Sequence, residues 1–199
     1  MSDKYKIRNQ SKAYFITMTI TAWVDVFARK SQKLTIIDAL NYCIKNKGLT
    51  IFAYVIMSNH VHMICRADGE EPLSDILRDL KTFTSKQIIH LIKNEVESRR
   101  KWMLEIFSSA CKHLKRNQKY KVWQEGNRAK EIINSKFFYQ KLEYIHNNPV
   151  KNLIVENPED YLFSSARNYW ARTWTSAPVS KIKKNASTGT FSPPGEFIS

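Results

Sequence analysis

Hydrophobic and polar positions along this chain follow two different periods. Over Ala13 to Trp23, AYFITMTITAW sets aromatic or branched residues against threonines, the alternation of a strand. In SQKLTIIDALNYCIKNKG the period changes: Leu34, Ile37, Leu40 and Ile44 recur three and four residues apart, and Gly48 follows. That spacing predicts an amphipathic helix with a glycine stop. Leu49 to Met57 reads as a second strand and His60 to Ala67 as a third, with only Ser58-Asn59 between them. Such a short connection predicts a tight hairpin. After the loop signal DGEEP, the stretch LSDILRDLKTFTSKQIIHLIKN predicts a second helix. Leu73, Ile76, Leu77, Leu80, Phe83 and Ile88 lie on or near its apolar face, with Arg78, Lys81 and Lys86 on the polar one. ESRRKWMLEIF opens a further helix that gives way to a basic run, and Tyr120 to Gly126 predicts a short strand. The last strong helix runs from Ser135 to about Asn147, with Asn147-Asn148-Pro149 as its stop signal.

The element order is strand, helix, strand, strand, helix, then strand and helix. It predicts an α+β chain of the split βαβ, ferredoxin-like (RRM-like) kind: an antiparallel sheet with helices packed on one face. At 199 residues the chain is long enough for one domain with a real core. Residues 1–174 are expected to form that single domain. From about Thr175 onward Ser, Thr, Pro, Gly and Lys dominate, so 175–199 is expected to be a disordered tail.

Composition narrows the partners. Lys plus Arg number 32 against 18 Asp plus Glu, a net charge of +14, which points to a polyanion such as nucleic acid. A membrane is not expected, because no window approaches the roughly 18–20 apolar residues a span needs. The first residues also lack the apolar core of a signal peptide. Cys43, Cys65 and Cys111 are odd in number, far apart and outside any C-x-x-C pair, which fits reduced packing thiols in a cytoplasm.

The candidate chemistry starts in IFAYVIMSNHVHMICRA. His60 and His62 are alternate residues of a strand, so they share a face, with Cα atoms roughly 7 Å apart. By itself the pair fits either a shared metal ion or a polar strand face. Two imidazoles do not complete a metal site, so a third ligand must come from elsewhere. On the last helix Tyr144 and Asn148 are four residues apart and lie on one face. They fit a ligand with a neighbouring hydroxyl, or a core tyrosine followed by a C-cap.

MSNHVHMICRA, together with KLEYIHNNPVKNLIVENPEDYLFSSARNYW roughly eighty residues downstream, resembles the single-tyrosine HUH transposases. These include insertion-sequence transposases and REP-associated tyrosine transposases. ESRRKWMLEIF and NQKYKVWQEG add to the resemblance, which spans roughly residues 10 to 170. After VWQEG this chain has Asn127-Arg128-Ala129, where relatives carry a Tyr-His or similar pair.

The resemblance implies a ferredoxin-like sheet with a C-terminal helix bearing the catalytic tyrosine. Tyr144 corresponds to the nucleophile, His60 and His62 to the metal-binding histidines, and Asn148 to the third polar ligand, with Mg²⁺ or Mn²⁺ as the ion. The implied activity is cleavage and rejoining of single-stranded DNA at hairpin-containing ends through a 5′-phosphotyrosine. Phenols ionise near pH 10, so such a nucleophile needs help from a metal or from nearby cations. For the DNA backbone, the basic positions Arg78, Lys81, Lys112, Lys115, Arg116, Lys119 and Lys121 are the expected contacts. The expected setting is cytoplasmic and nucleoid-associated, and a homodimer is the favoured assembly. Two other readings are a domesticated enzyme acting on genomic hairpin repeats and a non-catalytic single-strand-binding protein.

Overall fold

The computed structural model describes residues 7–112 and 118–170. Lys115, Arg116 and the segment 175–199 lie outside the described residues. Four strands form one antiparallel sheet in the order β2-β3-β1-β4. They are β1 Tyr14–Thr19, β2 Leu49–Ile56, β3 His60–Ala67 and β4 Lys130–Glu131. The helices are α1 Lys30–Asn46, α2 Leu73–Asn94, α3 Arg100–Ser109, α4 Ser135–Lys151 and α5 Ala166–Trp170. The ferredoxin-like order expected from the pattern is the one observed. Among the described residues no helix is long and apolar enough to cross a membrane.

The two central strands divide their side chains between two layers. Ile16, Met18, Val61, Met63 and Cys65 alternate to one face and are fully buried. α1 and α2 pack against each other there, with α1 on β2. Phe15, Thr17, His60 and His62 alternate to the other face. That face receives α4, which crosses β2 and β3. The tyrosine-bearing helix thus lies across the sheet from α1 and α2.

Other segments pair along part of each side of the sheet. On the β2 side, Ile56 N donates to Phe163 O (2.9 Å) and Ser165 N to Tyr54 O (3.0 Å). On the β1 side, Thr17 N donates to Asn127 O (2.9 Å) and Gln124 N to Thr19 O (2.8 Å). Gly48 ends α1 with φ +69°, and a Cβ there would meet Gly69 N at 2.7 Å.

Four local expectations are corrected. β1 stops at Thr19 and not near Trp23, because Ala22 and Trp23 take positive φ and turn the chain. Tyr120–Gly126 is not a strand, and the fourth strand is Lys130–Glu131. Only Trp123 forms a bridge, with Ile20. The segment meets β1 and its continuation irregularly, through Thr21 N on Val122 O, Gln124 N on Thr19 O and Thr17 N on Asn127 O, while the carbonyls of Gln124 (2.7 Å) and Gly126 (2.9 Å) bond to Lys81 Nζ. α4 continues through Pro149 to Lys151. So close to the helix end the proline removes a single donor, and Asn152 N and Nδ2 both cap Asn148 O (3.1 and 2.8 Å). Phe83 is 50% exposed on the flank of α2, whose buried face continues instead through Thr84, Ile88 and Ile92.

Candidate active site

β3 projects His60 and His62 from one face, with ring centroids 4.6 Å apart. α4 begins where the Asn134 side chain accepts from Phe137 N (2.8 Å), an N-cap that fixes its start. Two and a half turns on, Tyr144 reaches the histidines. Its Oη lies 3.5 Å from His62 Nε2, and the two ring centroids are 5.2 Å apart. Phe15 stacks on His62 at 5.4 Å and meets Tyr144 edge-on at 5.9 Å. Tyr144 is 38% exposed, so a substrate can reach it. One turn further, Asn148 is only 6% exposed and lies beside His60, whose charged form its side chain favours. The structure therefore brings together His60, His62, Tyr144 and Asn148, which the sequence holds in two distant segments.

Side chains behind the histidines orient them. His62 Nδ1 lies 2.9 Å from Thr17 Oγ1, its neighbour on β1. His60 Nδ1 lies 2.7 Å from Asn59 Oδ1. The Asn59 amide nitrogen donates to Asp25 Oδ1 (3.1 Å) and Trp23 O (3.3 Å), which turns its oxygen towards His60. That oxygen can only accept, so His60 Nδ1 carries the proton and Nε2 the lone pair. Burial pushes His62 down to about 3, with help from His60 and Lys141. Burial also lowers His60, against the opposing effect of Asn148. Both rings are therefore neutral at neutral pH, the form in which imidazole binds a metal. Among the described residues no group of three His, Cys, Asp or Glu could hold a metal. An ion at this site would take its third protein ligand from the Asn148 amide.

Positive charge lies beside the tyrosine. Lys141 Nζ is 5.5 Å from the Tyr144 ring centroid and 5.2 Å from that of Phe15, and Lys151 Nζ is 5.9 Å from Tyr144. Tyr161 and His146, near the same motif, are engaged elsewhere. Tyr161 Oη donates to Ile56 O (2.7 Å), and burial pushes its phenol up to about 12. His146 contacts Ser165 Oγ (2.9 Å) and is driven down to about 4 by burial, so it ties α4 to the β2 edge. Tyr139 packs edge-on against Phe138 (5.5 Å).

A basic groove runs between α2 and the segment 118–127. Arg78, Lys81, Lys86, Lys93, Lys119 and Lys121 line it. These cations are not equally available. Arg78 pairs with Asp75 (2.8 Å) and Asp79 (3.2 Å), and Lys121 with Glu125 (2.9 Å). Lys81 is held by backbone carbonyls, and burial lowers its amine to about 8. Lys119 and Lys112 are exposed, Lys112 just beyond α3. The groove backs onto the site, because Asn127 O accepts from the backbone of Thr17.

Thr17, Asn59, Asp25 and Lys141 were missed by sequence reasoning. Lys141 had a signal, since it stands three residues before Tyr144 on one helix. Thr17 had none until strand register placed it opposite His62.

A family model described as "Transposase IS200 like" matches residues 10–148. No curated protein matches the sequence. Among solved structures, a REP-associated tyrosine transposase bound to a REP hairpin is similar over 98% of each chain, at 20% identity and TM-score 0.61. At that identity the likeness bears on fold. A structure described as a transposase from Deinococcus radiodurans matches 73% of this chain and 97% of its own, at 17% identity and TM-score 0.40. The family match covers well over half of the sequence and contains the histidine pair, the tyrosine and the asparagine: the chain belongs to the IS200-like transposase family.

Proposed function

We propose that this transposase cleaves and rejoins single-stranded DNA beside a hairpin, with Tyr144 as the nucleophile. The observation that carries the reading is the hydroxyl of Tyr144, a residue 38% exposed, set 3.5 Å from His62 Nε2 on the face that also holds His60 and Asn148. His60, His62 and Asn148 suit Mg²⁺ or Mn²⁺: two neutral imidazoles, each with Nδ1 engaged from behind, and one buried amide oxygen. A divalent ion there would neutralise charge on the oxygens of the scissile phosphate.

The chain's own residues account for the remaining steps. The Tyr144 oxygen attacks phosphorus, a P–Oη bond forms and the P–O3′ bond breaks. The phenolic proton is lost to water, and the departing O3′ takes up a proton. The products are a 5′-phosphotyrosine and a free 3′-hydroxyl. Because the ester is conserved in the covalent link, attack by a 3′-hydroxyl reverses the step without ATP. Lys141 and Lys151 place positive charge beside the incoming phosphate. The stacked Phe15 and the Thr17 contact keep the His62 ring in place.

The relative solved with a REP hairpin supports hairpin DNA as substrate, and the basic groove suits the backbone of its stem. In that groove Lys86, Lys93 and Lys119 take phosphates directly, Arg78 and Lys121 do so by exchanging their carboxylate partners, and Lys81 holds the wall in shape.

The test is a denaturing gel with an end-labelled single strand containing a hairpin from the DNA flanking the gene. Wild type with Mg²⁺ or Mn²⁺ forms a covalent protein–DNA adduct. Tyr144→Phe removes one hydroxyl, so adduct and cleavage fall on the order of 10⁴-fold or more. Hairpin binding persists in the variant and weakens as salt rises. An adduct of equal yield in Tyr144→Phe places the nucleophile elsewhere and ends this reading.

A further inference from the structure

After β1 the chain reverses at residues 21–24, where Val24 N donates to Thr21 O (3.3 Å). Both central residues have positive φ, Ala22 at 53° and Trp23 at 57°. Successive positive values make a type I′ turn, a geometry normally filled by Gly, Asn or Asp. For a bulky aromatic residue it is an outlier that persists only where its surroundings enforce it. The restraints are specific. Trp23 N donates to Ile20 O (3.0 Å), and Trp23 O accepts from Asn59 Nδ2 (3.3 Å). The same Asn59 side chain holds His60 Nδ1, so one amide fixes both the Trp23 backbone and the His60 ring.

The indole of Trp23 is 52% exposed. Trp123 offers the contrast: it is 5% exposed and its Nε1 donates to Thr84. The Trp23 ring centroid is 6.1 Å from that of His60, at an interplanar angle of 72°. A strained turn therefore presents a broad, solvent-facing aromatic surface at the rim of the histidine pair. Nucleobases stack on such surfaces whatever their identity, because every base has a π-face.

We propose that Trp23 is a stacking platform for the nucleobase flanking the scissile phosphate. The proposal rests on the reading of Tyr144 given above. With one base seated on the indole, the adjoining phosphate is directed to the face shared by His60, His62 and Tyr144. Trp23 thereby sets which bond is presented, while the basic groove holds the hairpin.

The test uses the full chain and a synthetic single strand carrying a hairpin from the DNA flanking the gene, with tails on both sides. The cleaved position is first mapped with wild type. 2-Aminopurine is then placed at each nucleotide flanking that position and its fluorescence read on the Tyr144→Phe background, where the strand stays intact. Stacking quenches one flanking position. Trp23→Asn suits positive φ, keeps the turn and removes the ring, so it relieves the quenching. Trp23→Tyr retains it. With Tyr144 present, Trp23→Asn lowers adduct formation roughly ten-fold. An abasic nucleotide at the quenched position brings wild type and Trp23→Asn to the same rate. If wild type forms the adduct but quenching and rate are unchanged in Trp23→Asn, the platform is wrong and the Tyr144 reading stands. If wild type forms no adduct, both fall.

Discussion

On β3, His62 and Met63 are consecutive residues, both almost wholly buried, and they enter two different regions of the molecule. Met63 lies opposite Ile16 on the face beneath α1 and α2, among apolar side chains. His62 lies opposite Thr17 on the face beneath α4, with His60, Phe15 and Tyr144 around it. Burial stabilises the first region, because apolar area leaves water. In the second it works against the charged form, which is why His62 falls to about 3. The apolar face holds β1 and β3 in register, and that register sets Thr17 against His62. One layer supplies the rigidity that the other uses.

Replacing the two neighbours separates the regions. His62→Ala should reduce adduct formation by roughly 10³-fold, the scale of losing a group that stabilises transition-state charge. Its unfolding free energy should fall less than that of Met63→Ala, because the desolvation of the buried imidazole offsets part of what its stacking on Phe15 contributes. Met63→Ala should do the reverse and remove about 2–5 kcal/mol of unfolding free energy. Adduct yield per folded molecule should be kept. Urea unfolding and the labelled-strand gel, run on both variants, measure the two effects. A Met63→Ala protein that is stable but inactive would show that the two faces are not separable.

The apolar face was the more legible region in the sequence. β3 and α2 have the bounds the pattern predicts, because their periods are unbroken and clear turn signals flank them. The shared face of Tyr144 and Asn148 was legible from a four-residue spacing, but spacing alone fitted a C-cap equally well. Thr17 and Asn59 could not be read as partners of the histidines, since strand register and an amide orientation place them. Tyr120–Gly126 has the composition of a strand but meets β1 and its continuation through irregular contacts and a single bridge, which depend on a tertiary neighbour and not on the local pattern. Trp23 violates the local rule for positive φ, so no local rule could have found its turn.

Support from behind the histidines is expected to have a smaller effect than the histidines themselves. Thr17→Val keeps the branched shape on β1 and deletes the hydroxyl that lies 2.9 Å from His62 Nδ1. Mn²⁺ affinity, measured by calorimetry on the DNA-free protein, should fall about 10–100-fold, the usual effect of removing such a partner. Excess Mn²⁺ should restore most adduct formation, which it could not do if Thr17 were needed for the fold. Unchanged Mn²⁺ affinity would mean that His62 is oriented by its stacking on Phe15 alone.

The smallest effect concerns a carboxylate outside both faces. Glu97, buried between α2 and α3, accepts from Arg99 Nε (3.1 Å) and Arg29 Nε (3.1 Å), and so ties that connection to the start of α1. Hydrogen bonds from Arg99, then from Arg29, hold its carboxyl down at about 2. A depressed carboxyl stabilises the fold fully above its unfolded value, near 4.5. That stabilisation is lost as pH falls from about 4.5 towards about 2. Because both arginines are partly exposed, the contribution is set at about 1–2 kcal/mol. Glu97→Gln should therefore lower unfolding free energy by that amount at pH 7, and by much less at pH 3. Urea midpoints at the two pH values measure the difference, and subtracting variant from wild type cancels the titration of the buried histidines, which both proteins share. A wild-type advantage as large at pH 3 as at pH 7 would show that Glu97 acts through its shape and neutral hydrogen bonds, not through its charge.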